Sequence, residues 1–303
     1  MTTSKSYNLV AVLPACEERA FFELEAVALK RASAVSDYRI LSEGKAFEAL
    51  ITTDMGSANY QRAVLDDLAA LDLRADIAVR PISEPRRKTL LICDMDSTLI
   101  GQECIDELAD FAGVGDYVAG ITERAMRGEL DFEDALTERV GLLKELPLDT
   151  LQTCFDKRIT LNPGARILAR TMAAHGAKTV IVSGGFTFFS QRVAKAAGFA
   201  HHQANILLDD GKALTGIVQM PILGREAKKA ALESHSADIG GPMAAIAIGD
   251  GANDLAMITA AGLGIAYDAK PAVAAAAHCA INHTDLTTAL YFQGFTDAEF
   301  VND

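Results

Sequence analysis

The apolar run Leu90-Leu91-Ile92-Cys93 ends directly on Asp94-Met95-Asp96-Ser97-Thr98. Four consecutive apolar residues bounded by turn formers suit a strand buried on both faces, as in the middle of a parallel sheet. Two carboxylates two residues apart at its end repel each other and call for a cation or a shared proton. Such a pair suits a Mg²⁺ site, or a nucleophile beside a proton carrier. It equally suits a strand end whose acids form an Asx turn and cap a helix. The segment alone does not decide between these.

The chain has 303 residues, enough for one large domain or two ordinary ones, and half of them are hydrophobic. A formal net charge of −13 argues against nucleic acid or an anionic membrane as partner. A phosphorylated small molecule stays open, since a local cluster of cations and amides outweighs the overall field. Five cysteines, with no Cys-x-x-Cys pair, favour a reducing compartment over a disulfide framework. Leu13-Pro14-Ala15-Cys16 has the look of a lipoprotein cleavage box, but the apolar stretch before it is too short for a signal segment. No run approaches the roughly 20 apolar residues of a membrane span. The expected location is the cytoplasm. Oligomeric state is left open, with a homodimer among the options.

The first 80 residues alternate as βαββαβ. Strands are expected at 8–14, near 36–42, near 47–53 and at Ile77–Arg80, with helices over 17–33 and from Tyr60 to Leu73. That order is the split-βαβ, ferredoxin-like pattern. Ser83-Glu84-Pro85-Arg86-Arg87-Lys88 breaks it, which sets units of 1–84 and 85–303. Beyond the break, strands at 88–93, 178–182, 243–248 and 263–267 alternate with helices, the signature of an α/β fold with an open, Rossmann-like parallel sheet. Residues about 104–160 are helical throughout and read as an inserted cap. Residues 205–208 and 215–218 flank Asp209-Asp210-Gly211 as a β-hairpin. Tyr291-Phe292-Gln293-Gly294 looks like a protease-tag remnant, yet it continues the helical register of Leu286 and Leu290.

Two other strands end in the same manner as the first. One runs into Ser183-Gly184-Gly185, the other into Gly249-Asp250-Gly251-Ala252-Asn253-Asp254. Ligands of open α/β sheets bind beyond the carboxyl ends of the strands, so the three segments should converge. The glycines let the backbone approach an anion, and Ser183 adds a donor. Asp250 brings the third carboxylate that Mg²⁺ needs, and Asp254 would orient a ligand or bind through water. A cation for phosphate is expected on the helix opening at Arg225, from Lys228 or Lys229. Residue chemistry chooses neither.

In order along the chain, Asp94-x-Asp96-x-Thr98, Ser183-Gly184-Gly185, a lysine near 228 and the 249–254 segment resemble the four motifs of the haloacid dehalogenase-like phosphatases. Glu103, Asp131-Phe132 and Arg139-Val140 extend the resemblance to the phosphoserine phosphatase branch over 88–290. The first 84 residues look like the ACT-type unit often attached to bacterial members, without its Gly-rich first loop.

The resemblance implies a Mg²⁺-dependent hydrolysis of O-phospho-L-serine to serine and phosphate, the last step of serine biosynthesis. Asp94 would be the nucleophile and Asp96 the proton carrier. Asp94, Asp250 and the backbone carbonyl of Asp96 would hold the metal. Ser183, Gly184, Asn253 and Lys228, chosen over Lys229 on family spacing, would hold the phosphoryl group, with Thr98 and Asp254 behind them. Glu103 and Arg139 would complement the ammonium and carboxylate of a small amino acid, and Phe132 and Met126 would form an apolar wall. Rival expectations are a phosphotransferase passing the group to another alcohol and a non-catalytic amino-acid-sensing regulator.

Overall fold

A computed structural model describes residues 4–126 and 129–302, apart from the side chain of Met126. The chain opens with β1 (Lys5–Val12), α1 (Glu18–Leu29), β2 (Ala34–Ser42), β3 (Ala46–Thr53), α2 (Ser57–Ala70) and β4 (Asp76–Pro81). The strands form an antiparallel sheet in the order β2-β3-β1-β4, the arrangement that the βαββαβ reading calls for. An antiparallel sheet usually leaves one face to water. Here both faces of β1, β3 and β4 are largely covered, while most of β2 stays exposed. Leu9, Ala11, Phe47 and Ile77 pack with Phe21, Leu24, Tyr60 and Val64 of the helices. Alternate residues of the same sheet, Val10, Val12, Ala46 and Ala78, join the main core with Tyr291 and Phe292.

That core is built on β5 (Leu90–Cys93). Four helices follow: α3 (Cys104–Phe111), α4 (Gly115–Met126), α5 (Phe132–Gly141) and α6 (Leu148–Arg158). Next come α7 (Ala165–Ala174), β6 (Lys178–Phe186), α8 (Thr187–Ala197), β7 (His201–Asn205), β8 (Leu207–Asp209), β9 (Leu214–Val218) and α9 (Arg225–Ser236). The chain ends through β10 (Ala245–Gly249), α10 (Leu255–Ala260), β11 (Leu263–Tyr267), α11 (Pro271–Ala276), β12 (Cys279–Ile281) and α12 (Thr288–Tyr291). Six strands lie parallel in the order β12-β11-β10-β5-β6-β7. Leu91, Cys93, Ile181 and Ile248 face one layer; Leu90, Ile92, Val180 and Ala247 face Leu232 of α9 and Met257 of α10. Two-sided burial is why these strands read as continuous apolar runs.

The structure changes one detail of the hairpin and bears out the helical register of 291–294. Asn205 belongs to edge strand β7, so the hairpin is β8–β9 and begins two residues later. Tyr291-Phe292-Gln293-Gly294 is part of the fold: Tyr291 and Phe292 are buried, and the buried Gln293 amide accepts from Lys88 N–H at 3.0 Å and donates to Ala289 O at 2.9 Å. Among the described residues, no helix is long and apolar enough to cross a membrane.

Side chains stitch the two sheets together. Gln61 accepts from Val79 N–H of β4 at 3.0 Å and donates to the His278 carbonyl beside β12 at 3.2 Å. The buried Asp76 carboxylate accepts the backbone N–H groups of Asn282, His283 and Thr284 at 3.0–3.2 Å and the Thr284 hydroxyl at 2.6 Å. Removing that acceptor takes away the shared partner of three backbone amides and a hydroxyl. Asp76→Ala is expected to lower the unfolding free energy by about 2–4 kcal/mol, read from urea titration. An unchanged midpoint and slope would show that the anchor contributes nothing.

Candidate active site

The ends of β5, β6 and β10 lie side by side, and the three motif segments meet there. Asp94 follows β5 directly and is 4% exposed. One of its oxygens accepts from Met95 N–H at 2.7 Å, and the other lies 2.6 Å from Lys228 Nζ. The same ammonium group donates to Asp254 Oδ1 at 2.6 Å, while Asp254 Oδ2 accepts from Gly251 N–H at 3.1 Å. Of the two lysines on α9, Lys228 turns inward and is 1% exposed, whereas Lys229 lies outside beside Glu233.

Asp94, Asp250 and Asp254 each place a carboxylate oxygen within 4.8 Å of the others. Three acids facing one lysine leave negative charge uncompensated in a buried site. Burial and the Asp254 charge hold Asp94 well above the ordinary carboxylate range, against the pull of Lys228. Burial and the same neighbour push Asp250 up to about 6. Burial opposes the charge on Lys228, but its two carboxylate partners outweigh it and hold the ammonium above its usual pKa. An all-oxygen, net-negative donor set of this kind fits a hard divalent cation such as Mg²⁺. Thr98, fully buried, fixes Asp250 by donating to Oδ1 at 3.1 Å.

Asp96 stands apart from this cluster. Its Oδ1 accepts from Cys104 N–H at 3.1 Å and its Oδ2 from the Ser183 hydroxyl at 3.4 Å. Burial raises its pKa, while Cys104 and Lys228 hold it down. Gly185 donates its N–H to Ser183 Oγ at 2.8 Å, and a Cβ here would sit 2.5 Å from Asp96 Oδ2. Only glycine admits the carboxylate so close.

On the cap side, Glu103 immediately precedes α3 and accepts from the Ser97 hydroxyl at 2.6 Å. Solvent reaches Glu103, yet the protein packed around its carboxyl pushes its pKa up to about 7, and Asp96 adds to the shift. Ser97 adopts a left-handed φ of 52°, the turn that aims its hydroxyl at Glu103. Arg139, on α5, bonds Ala135 O at 3.2 Å and feels the charges of Asp106 and Glu103; burial lowers its pKa. Asn253 is half-buried in the turn that carries Asp250. Phe132 opens α5 and reaches Gly184. The side chain of Met126 lies outside the described residues.

Three contributors escape a sequence reading. Cys104 reaches Asp96 through its thiol and its backbone N–H, contacts that no motif in the chain marks. Ser97 sits inside the recognised segment, but only its backbone turn reveals its partner. The buried Asn205 donates to Gly184 O at 2.8 Å from the neighbouring strand β7, well separated along the chain.

The model of the haloacid dehalogenase-like hydrolases matches residues 91–259. The chain is 43% identical over 216 residues to a probable phosphoserine phosphatase of Schizosaccharomyces pombe, covering 70% of this chain and 72% of that protein. It is 45% identical over 200 residues to a phosphoserine phosphatase of Archaeoglobus fulgidus, covering 65% of this chain and 58% of that one. The unliganded crystal structure of a probable phosphoserine phosphatase from Vibrio cholerae superposes with a TM-score of 0.77 at 34% identity, covering 95% of this chain and 86% of that chain. With more than half its length in the matched segment and the acid-bearing strand ends on one sheet edge, the chain belongs to the haloacid dehalogenase-like hydrolases.

Proposed function

We propose that the protein is a Mg²⁺-dependent phosphomonoesterase that hydrolyses O-phospho-L-serine to L-serine and phosphate. One observation carries the reading: two acids two residues apart have unlike partners, Asp94 a buried ammonium and Asp96 an N–H and a hydroxyl. Unlike surroundings let neighbouring carboxylates take different roles. The names of the relatives support the same substrate.

In this mechanism an oxygen of Asp94 attacks phosphorus, and the bond from phosphorus to the serine oxygen breaks. Asp96 gives its proton to that oxygen, which leaves as the hydroxyl of serine. A water then attacks the aspartyl-phosphate, Asp96 takes back a proton, and Asp94 is released as a carboxylate with free phosphate. Asp94, Asp250 and the Asp96 carbonyl would hold Mg²⁺, with Asp254 beside them. When bound, the cation offsets the charge of phosphate and carboxylates. Lys228, Ser183 and the Gly184 backbone N–H stabilise the phosphoryl oxygens as their charge shifts, with Asn253 at their side. Glu103 pairs with the substrate ammonium and Arg139 with its carboxylate. Phe132 shields the site from water.

The same proposal divides the chain at residues 84 and 85, with an ACT-like unit ahead of the phosphatase core and its cap of about 104–160. Five unpaired cysteines, four of them buried, support a cytoplasmic setting.

A phosphate-release assay over a panel of phosphorylated amino acids is expected to single out O-phosphoserine and to lose turnover on chelation of Mg²⁺. Equal release from every phosphomonoester, or turnover without divalent metal, would contradict it. Asp94→Asn should abolish turnover while the circular dichroism spectrum stays unchanged. Retained activity would rule out the covalent route. A third test uses pH. Glu103 must be ionised to bind an ammonium, and with its pKa raised from 4.5 to about 7 it becomes protonated as pH falls through neutrality. kcat/KM for O-phosphoserine should therefore drop by about tenfold per unit below pH 7. Glu103→Gln should lower the plateau and erase that inflection, whereas a variant keeping the same profile would remove Glu103 from substrate binding.

A further inference from the structure

Phe132 is the first residue of α5 and is 38% exposed. Asp131 accepts from Asp134 N–H at 2.8 Å, so this helix start is capped and the ring has a defined origin. The ring reaches from the cap to the core. Its Cζ lies 3.1 Å from where a Cβ on Gly184 would stand, and its Cδ1 lies 3.3 Å from the equivalent point on Gly224.

Backbone conformation does not require glycine at 224. With φ −109° and ψ −158° it is extended, open to any residue. A Cβ there would press on the Phe132 ring, which would have to give way by a few tenths of an ångström. The two walls of the slot are also tied to each other. Asn205, 3% exposed, donates through Nδ2 to Gly184 O at 2.8 Å and to Leu223 O at 3.3 Å, and its Oδ1 accepts from Leu223 N–H at 2.6 Å. Gly224 caps α9, and Lys228 follows one turn later with its N–H 3.4 Å from Gly224 O.

We propose that Gly224 is a positioning residue for cap closure: with Gly184 it forms a side-chain-free slot, clamped by Asn205, in which Phe132 seats. This rests on the reading of the cap as the cover of a phosphatase site. Seating the ring joins the cap to the Ser183-Gly184 loop and to the start of the helix carrying Lys228, the two elements assigned to phosphate. Cap position and phosphate ligands are thereby set together, and water is kept out during transfer.

The test is a double-mutant cycle on the full-length protein with Gly224→Val, Phe132→Ala and their combination, and Gly224→Ala as a milder step. Hydrogen exchange across 132–140 is expected to rise about tenfold in Gly224→Val and in Phe132→Ala, with no further rise in the double variant. kcat/KM for O-phosphoserine should fall about tenfold in Gly224→Val, less in Gly224→Ala, and less than about twofold when valine is added to Phe132→Ala. An equal loss in both backgrounds, or exchange that rises in α9 and not in α5, would overturn the slot. Absence of phosphate release by the unmodified protein would refute the functional reading, while the exchange cycle would still decide on the slot.

Discussion

A single buried ammonium group organises the site. Lys228 reaches Asp94 from β5 and Asp254 from the turn after β10, so one cation joins two strand ends that would otherwise repel. Removing one partner from such a buried network costs about 3–5 kcal/mol, because the charges left behind have no water to turn to. Lys228 cannot neutralise all of its neighbours, however. In the proposed mechanism that residual negative charge suits the pocket to a divalent ion, which would offset it before the phosphate arrives.

Asp96 escapes this arrangement by being oriented elsewhere. Cys104 and Ser183 hold its two oxygens, and Gly185 clears the space it occupies. A turn of two residues thus separates a carboxylate bound to a cation from one bound to neutral donors. In the proposed mechanism these unlike surroundings suit one acid to nucleophilic attack and the other to proton transfer.

The parallel sheet and the convergence of 94–98, 183–185 and 249–254 were legible because apolar runs end abruptly on acids and glycines, a local pattern with few alternatives. Lys228 and Lys229 were indistinguishable as residues; the helical rotation of α9 separates them, burying one and leaving the other beside Glu233. Asp254 looked peripheral because spacing along a chain does not reveal that its carboxylate comes within 4.8 Å of Asp94 and Asp250. Asn205 was assigned to a hairpin, since an edge strand one residue from another strand presents no boundary signal. Its link to Gly184 is a long-range contact, invisible to any local window.

The first sheet was legible as a unit, but its second buried face was not. Alternation predicts one covered side, and only packing shows that Val10, Val12 and Ala78 meet Tyr291 and Phe292 near the far end of the chain. The amino-terminal strands therefore serve as a lid on the carboxy-terminal segment. A break in sequence pattern at 83–88 marks a change of architecture without marking a seam in cohesion. Swapping this unit between relatives would require transplanting the matching tail, because the two ends of the polypeptide share one interior.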